Sequence, residues 1–426
     1  MKLSVEGRRV VSGTHRVSGN KNAALPMIAA ALLSREPVVL TNVPDIADVS
    51  TMLDVARSFG AKVSRDKAAG TVTISANSLR AARIAPELAA KLRTSILFAG
   101  PLLARLGRAS LPPPGGDAIG HRRLDTHFEG FKALGAKAKT GKKALSFKGA
   151  LRGAEMLLDE ASVTATENLL MASVLAKGRT VIYNAACEPH VENLAAMLRS
   201  MGARVAGAGT NRIEVEGVES LHGCEARVGC DYIEAGSYLV AAAATGGEIL
   251  LTGIDPEPFR VLEGTFARFG ISWTIDRQAG TLRYVPRKRL RMKYDFGDAI
   301  PSVSDGPWPA FPSDLMGVLI VLATQTRGTC LFFEKMFESR LYFVDQLRQM
   351  GAKIVQCDPH RVVVTGPSPL YGGTAHANDI RAGISLVIAA LCAKGESTIL
   401  NAETIDRGYV SVEKGFSAVG AKVTRL

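Results

Sequence analysis

"SFGAKV" at residues 58–63 returns as "ALGAKA" at 133–138, "SMGARV" at 200–205, "RFGISW" at 268–273, "QMGAKI" at 349–354 and "AVGAKV" at 418–423. The central glycines, Gly60, Gly135, Gly202, Gly270, Gly351 and Gly420, are spaced 75, 67, 68, 81 and 69 residues apart. Six units of about 70 residues fill the chain of 426. Each glycine follows an amphipathic stretch, such as "DVSTMLDVARSFG" (48–60) or "RLYFVDQLRQMG" (340–351), with apolar residues three and four apart. Glycine just past such a stretch is a helix C-cap, and a run rich in Val and Ile after it reads as a strand. Upstream in each unit lies a second helix, apolar almost all round, then a turn and a strand, as in "TENLLMASVLAKGRTVIYNA" (166–185). Such a helix belongs inside a domain. The pattern predicts helix, strand, helix and a hairpin per unit, with helices central, sheets outside and three units to a domain. A solenoid of six stacked units fits less well, because solenoid repeats are usually about 20–45 residues long.

With 47% apolar and 22% charged residues the composition is globular, and the length calls for two or three domains. The longest apolar runs, such as "ISLVIAALCA" (384–393), are about half the length that spans a bilayer. The first residues, "MKLSVEGRRVVSGTHRVSG", hold no apolar core of a secretory signal, so a cytoplasmic location is expected. Six cysteines without a C-x-x-C pair point to reduced, mostly buried thiols, and neither a metal nor a disulfide is expected. A net charge of +12 suits a nucleic-acid surface or a site for small polyanions. Aromatics make up only 6% and no base-stacking motif occurs, which disfavours nucleic acid. No Walker loop and no GxGxxG after a strand is present, so no ATP or NAD is implied.

Eight stretches carry a resemblance that runs from end to end. They are "SGNKNAALPMIAAALL" (18–33), "GGDAIGHRRLDTH" (115–127), "NAACEPHVENL" (184–194), "DYIEAGSYLVAAA" (231–243), "PAFPSDL" (309–315), "FESRLYFVDQLRQMGA" (337–352), "DIRAGISLVIAAL" (379–391) and "IDRGYVSVE" (405–413). Together they resemble the UDP-N-acetylglucosamine 1-carboxyvinyltransferase branch of the enolpyruvyl transferase family. The resemblance implies a two-lobed, inside-out α/β barrel of six similar units with the active site in the cleft between the lobes. It places the first lobe at 22–229, with a mobile active-site loop at 112–123, and the second at 1–21 plus 230–426. The implied reaction transfers the enolpyruvyl group of phosphoenolpyruvate to the 3-hydroxyl of UDP-N-acetylglucosamine and releases phosphate. It is the first committed step of peptidoglycan precursor synthesis and uses no cofactor. Its partners are those two small molecules, with neither nucleic acid nor membrane; the oligomeric state stays open.

Addition followed by elimination needs a base at the sugar hydroxyl, an acid at C3 of phosphoenolpyruvate and cations around phosphate and carboxylate. By the resemblance the cations are Lys21, Arg93, Arg122, Arg381 and Arg407, with Lys21 also catalytic; Arg93 and Arg381 sit at helix starts, where packing or an ion pair is the alternative. Asp314 is the implied base or orienting group, although an acid before an apolar helix is also a common cap. Asn22 is the implied hydrogen-bond partner of the sugar, or the cap of the helix near Ala23. Asn22, Arg93, Arg122, Ser162, Val163, Asp314 and Met336 are implied on the UDP-sugar side, with His127, Glu188, Asp231 and Asp379 supporting. His121 and Arg123 read equally well as exposed loop residues.

Asp117 stands where many family members carry the cysteine that fosfomycin alkylates, and others carry aspartate. It is the expected general acid, and fosfomycin resistance follows. The plainer reading is a loop aspartate serving turn geometry. Glu160 departs from the family, which usually has lysine there, and an acid facing a diphosphate is repulsive unless paired or turned away. Another nucleotide acceptor therefore stays open. The shikimate-pathway relative ranks lower, since it usually opens with an S-K-S-type motif where this chain has "GNKNA" (19–23).

Overall fold

The computed structural model describes residues 1–426 except 81–83, 85, 91, 117, 118, 121, 287 and 288. Asp117 and His121 thus lie outside the described residues. The chain forms two compact units, one built from Met1–Ser18 and Cys230–Leu426, the other drawn from Gly19–Gly229. The crossover falls between Ser18 and Gly19, so Lys21 folds with the second of these.

All six repeat glycines adopt left-handed backbone, with φ between +80° and +101°. In every unit the residue after the glycine donates its N–H to the carbonyl five positions back, from Ala61 to Ala56 and from Ala421 to Phe416, at 2.9–3.3 Å. This is the Schellman closure of a helix C-terminus, which a Cβ opposes. The residue before each glycine, Phe59, Leu134, Met201, Phe269, Met350 or Val419, is buried. The repeat seen in the sequence is therefore a repeated helix end with a repeated core anchor. At Gly135 a Cβ would meet nothing closer than 3.7 Å, so Gly135→Ala isolates the backbone term. Its expected cost is about 1–2 kcal/mol, read as a lower denaturation midpoint; an unchanged midpoint refutes the assignment.

Each unit contains three inner helices. They are Lys21–Ala30, Ala99–Leu106 (preceded by the 3-10 turn Arg93–Phe98) and Val163–Ser173 in one. The other has Tyr232–Thr245, Ser313–Gln325 and Ile380–Cys392. Burial of Tyr232 through Ala243 without a break is what an all-round apolar helix requires. The helices of this second set pack on one another closely: a Cβ on Gly317 would lie 2.6 Å from Ser385 Oγ.

Among the described residues each unit carries three sheets, five of the six being four-stranded. In four of those five, the strand after an inner helix has a parallel neighbour on one side and a hairpin on the other. Arg179–Tyr183, for example, runs parallel to Glu155–Leu157 and antiparallel to Arg212–Glu216. In the fifth, Glu396–Leu400 runs parallel to Thr374–His376 and antiparallel to Lys2–Glu6, and Lys2–Glu6 pairs with Lys422–Arg425 in place of a hairpin. Outer amphipathic helices, such as Pro189–Ser200, lead into the hairpins. No helix is long and apolar enough to cross a membrane among the described residues. The cysteines depart from expectation: Cys230 and Cys330 are buried, Cys187, Cys224 and Cys392 half-buried, and Cys357, on a hairpin strand, exposed. All six are free thiols.

Candidate active site

In the unit drawn from Gly19–Gly229, Lys21 is the first residue of its helix because Asn20 caps it. Asn20 is extended (φ −66°, ψ 121°) and its Oδ1 accepts the Ala23 N–H at 3.1 Å. The capping alternative offered for Asn22 is corrected here: an N-cap residue must have non-helical backbone, and Asn22 lies inside the helix. Lys21 Nζ stands 2.6 Å from Asp48 Oδ2, with both side chains nearly buried. Asp48 was not anticipated. Its signal in the sequence is an acid in the first turn of the following amphipathic helix, Ala47–Ser58.

Arg93 opens the turn Arg93–Phe98 and reaches the glycine-rich loop's exit. Its Nη2 donates to the carbonyls of Arg122 (2.5 Å) and Arg123 (2.9 Å). Burial and the like charge of Arg122 draw its pKa down to about 10, while Glu160 acts the other way. Arg123 is exposed yet ion-paired to Asp159 (2.9 Å) and Asp125 (3.2 Å). Thr126 Oγ1 donates to Asp159 (2.7 Å) and, at 3.4 Å, to Glu160. The unexpected acid Glu160 is thus met by a hydroxyl and by the charges of Arg93 and Arg123.

His127 is buried beneath this group, and its tautomer can be read from its neighbours. Asn168 Oδ1 accepts the Gly100 N–H (2.7 Å), so its amide nitrogen faces the Ile96 carbonyl (2.8 Å) and His127 Nδ1 (3.1 Å). An amide nitrogen only donates, so Nδ1 is the acceptor. The proton then sits on Nε2, which donates to Thr164 Oγ1 at 3.2 Å. Burial, reinforced by Arg93, pushes the His127 pKa down to about 3 from 6.5, keeping the ring neutral. The unfolded chain takes up this proton first, so stability is complete above pH 6.5 and is lost as pH falls towards 3. The loss is at most about 1.4 kcal/mol per pH unit. Acid unfolding of His127→Gln is expected to be less steep by up to one proton across this window, and equal slopes refute the buried neutral ring.

Ser162 caps Val163–Ser173, with Oγ accepting the Ala165 N–H at 3.4 Å, and Val163 follows as the first helical residue. Glu188 precedes Pro189–Ser200 without a side-chain cap. Its charge bears on buried Glu167, whose pKa burial and then Glu188 raise well above the ordinary range.

The unit built from Met1–Ser18 and Cys230–Leu426 places a carboxylate between two arginines. Asp314 Oδ1 accepts from Arg340 Nη2 at 2.9 Å, and its Oδ2 from Arg381 Nη2 at 2.8 Å. The capping alternative for Asp314 is corrected: Pro312 is the N-cap residue, and Asp314 lies in the first turn with its carboxylate turned to the guanidinium groups. Ser313 Oγ donates to Glu334 at 2.9 Å. Arg340, 6% exposed, also stands 3.6 Å from Asp379. It lies in the quoted stretch "FESRLYF" (337–343) but was not singled out; the adjacent pattern reads as helix, and nothing local marks one arginine as turned inward.

Asp379 caps Ile380–Cys392 through the Arg381 and Ala382 N–H groups, at 2.8 and 3.0 Å. Against the cost of burial, Asp314, Tyr409 and Asp231 together hold the Arg381 pKa above its usual value. Asp231 caps Tyr232–Thr245, and burial raises its pKa to about 6, opposed by Arg381. Arg407 is half-buried at the end of the 3-10 turn Ala402–Arg407. Its neighbour Asp406 pins that turn by a two-pronged pair with Arg425, at 2.7 and 2.8 Å. Met336 is 37% exposed, on a turn whose Met336 and Phe337 N–H groups donate to Glu334.

So Arg93, Arg122, His127 and Glu160 come together in one unit, and Asp314, Arg381, Asp379 and Asp231 in the other. Each group sits at the start of an inner helix or directly against one. Such ends carry partial positive charge, which favours anionic groups, and the carboxylates of Asp231 and Asp379 already sit at two of them. No group of three or more His, Cys, Asp or Glu suited to a metal occurs among the described residues.

Comparison with known proteins fits this arrangement. The family model described as EPSP synthase (3-phosphoshikimate 1-carboxyvinyltransferase) matches residues 5–415. The UDP-N-acetylglucosamine 1-carboxyvinyltransferase of Treponema denticola is 48% identical, with 98% of each chain covered. The proteins of that name from Borrelia garinii and Bradyrhizobium diazoefficiens are 50% and 49% identical, covering 99% of this chain and 98% and 97% of theirs. The chain belongs to the UDP-N-acetylglucosamine 1-carboxyvinyltransferase family. The fold of these transferases is seen in the enolpyruvyl transferase NikO from Streptomyces tendae (TM-score 0.88, 24% identity, 99% and 98% of the two chains). EPSP synthase from Acinetobacter baumannii shares it as well (TM-score 0.78, 21% identity, full coverage of both). Within the family this chain is a six-unit enolpyruvyl transferase, as its sequence implied.

Proposed function

We infer that the chain transfers the enolpyruvyl group of phosphoenolpyruvate to the 3-hydroxyl of UDP-N-acetylglucosamine, with release of phosphate. The observation that carries this reading is near-half identity, over nearly the whole chain, to relatives bearing that activity in their names. Lys21, Arg93, Arg122, Arg381 and Arg407 serve the phosphate and carboxylate of the donor, for which planar guanidinium forks are suited. Asp314, held at both oxygens, orients the sugar hydroxyl and takes its proton. Its two arginines fix the direction of its remaining lone pairs, so little reorganisation is needed as the oxygen attacks. Asp117 protonates C3. Asn22, Ser162, Val163 and Met336 serve the nucleotide-sugar, and Glu188, Asp231, Asp379 and His127 support the groups beside them. The pairing of Glu160 inside its own unit supports a diphosphate acceptor, since the acid does not present an unanswered charge.

Mixing the protein and phosphoenolpyruvate with UDP-N-acetylglucosamine, shikimate 3-phosphate or other nucleotide sugars, and measuring inorganic phosphate, tests the reading. Release with UDP-N-acetylglucosamine alone is expected. Release only with another acceptor overturns the acceptor, and release with none overturns the reaction.

A further inference from the structure

The three-stranded sheet, Arg108–Leu111, Leu145–Lys148 and Lys137–Thr140, carries an outward face unlike that of the other five. In its register Arg108 lies opposite Lys148, and Lys148 opposite Lys137. Three cations thus stand in one row across three strands, all exposed. Lys139 follows on the same face, and the hairpin tip adds Lys142 and Lys143, also exposed. From Lys132 to Ala154 the sequence holds no acid. Among the described residues no carboxylate pairs with any of these six cations.

Like charges directly opposite in a sheet are destabilising, and a fold normally answers them. On the other sheets the cations meet acids instead: Arg179 pairs with Glu214 (2.6 Å), Arg283 with Glu248 (2.7 Å), Lys422 with Glu6 (2.7 Å), Arg361 with Asp358 (2.6 Å) and Arg65 with Asp45 (2.9 Å). The three-stranded sheet alone keeps its row uncompensated. We propose that this face docks on the anionic surface of a lipid bilayer, by charge and without insertion.

Three features favour a bilayer over a nucleic acid. Five of the six cations are lysines, which act as point charges, whereas arginine is the residue of forked contacts to bases and phosphates. The sheet's aromatic ring, Phe147, is buried against Phe128 and Phe131, so nothing on this face can stack on a base. The cations are spread over a sheet instead of following a groove. That no described helix is long and apolar enough to cross a membrane does not bear on a peripheral contact, which needs no spanning segment.

The test is co-sedimentation of the full chain with phosphatidylcholine vesicles, with and without phosphatidylglycerol. Binding is expected to the anionic vesicles only, and to vanish near 1 M salt, where the Debye length is about 3 Å. Lys137→Glu/Lys139→Glu/Lys148→Glu is expected to lower the partition coefficient on the order of 100-fold while phosphate release stays unchanged. The single change Lys148→Glu relieves the row, so it is expected to weaken binding yet raise Tm, on the order of 1 °C. Wild-type protein that ignores anionic vesicles, or a triple variant that binds like wild type, overturns the proposal. So does tighter retention by duplex DNA than by anionic vesicles at equal salt.

Discussion

Asp314→Ala is expected to lower phosphate release by on the order of 10³-fold, the range of a positioned general base. It is also expected to destabilise its unit by about 3–5 kcal/mol, because Arg340 and Arg381 would keep their buried charges without the carboxylate between them. Asp314→Asn separates the two effects. The amide retains the shape and one acceptor oxygen, so much of the stability returns while the proton acceptor does not. Phosphate release by Asp314→Asn within tenfold of wild type would refute the base, whatever its Tm. Wild-type stability in Asp314→Ala would refute the energetic weight given to the paired arginines.

Asp117→Asn is expected to reduce turnover by about 10²–10⁴-fold, since an amide cannot deliver a proton to C3. An aspartate in water has a pKa near 4, and cations beside it lower that further. Bound phosphoenolpyruvate offsets those cations, and exclusion of water disfavours the carboxylate, so the acid is expected to hold its proton only with donor bound. The alkaline limb of kcat should therefore lie at higher pH than a free aspartate allows, and vanish in Asp117→Asn. Near-normal turnover in this variant would remove Asp117 from the mechanism. Fosfomycin should produce no time-dependent inactivation, because a carboxylate replaces the thiolate as nucleophile; a covalent adduct at Asp117 would contradict this.

The architecture was legible because its signal is local. A left-handed glycine after an amphipathic helix needs no knowledge of distant contacts, and six such positions at near-equal spacing imply six units. The candidate residues were legible through motif context, but their partners were not. Asp48 lies 27 positions from Lys21, and Arg340 lies 26 from Asp314, so only the folded chain pairs them. The caps erred by small steps for another reason. Whether Asn20 or Asn22, Pro312 or Asp314, ends the extended backbone depends on φ and ψ, which side-chain type constrains only weakly. The uncompensated row on the three-stranded sheet required register, since lysines eleven residues apart become neighbours only when the hairpin forms.

The inner helices begin at Lys21, Val163, Tyr232, Ser313 and Ile380, and the turn leading into the remaining one at Arg93; candidates lie at or beside each start. Past those first turns the helices are buried along their length, over Leu169–Ser173, Leu239–Ala243, Val318–Thr324 and Ser385–Leu391 for example. Most of the candidates thereby lie apart from the packed length of the inner helices, with Arg122, Met336 and Arg407 on segments outside those helices altogether. A lineage of such chains is free to exchange one acceptor for another by editing a handful of opening residues, one helix at a time, while the packed remainder is inherited intact.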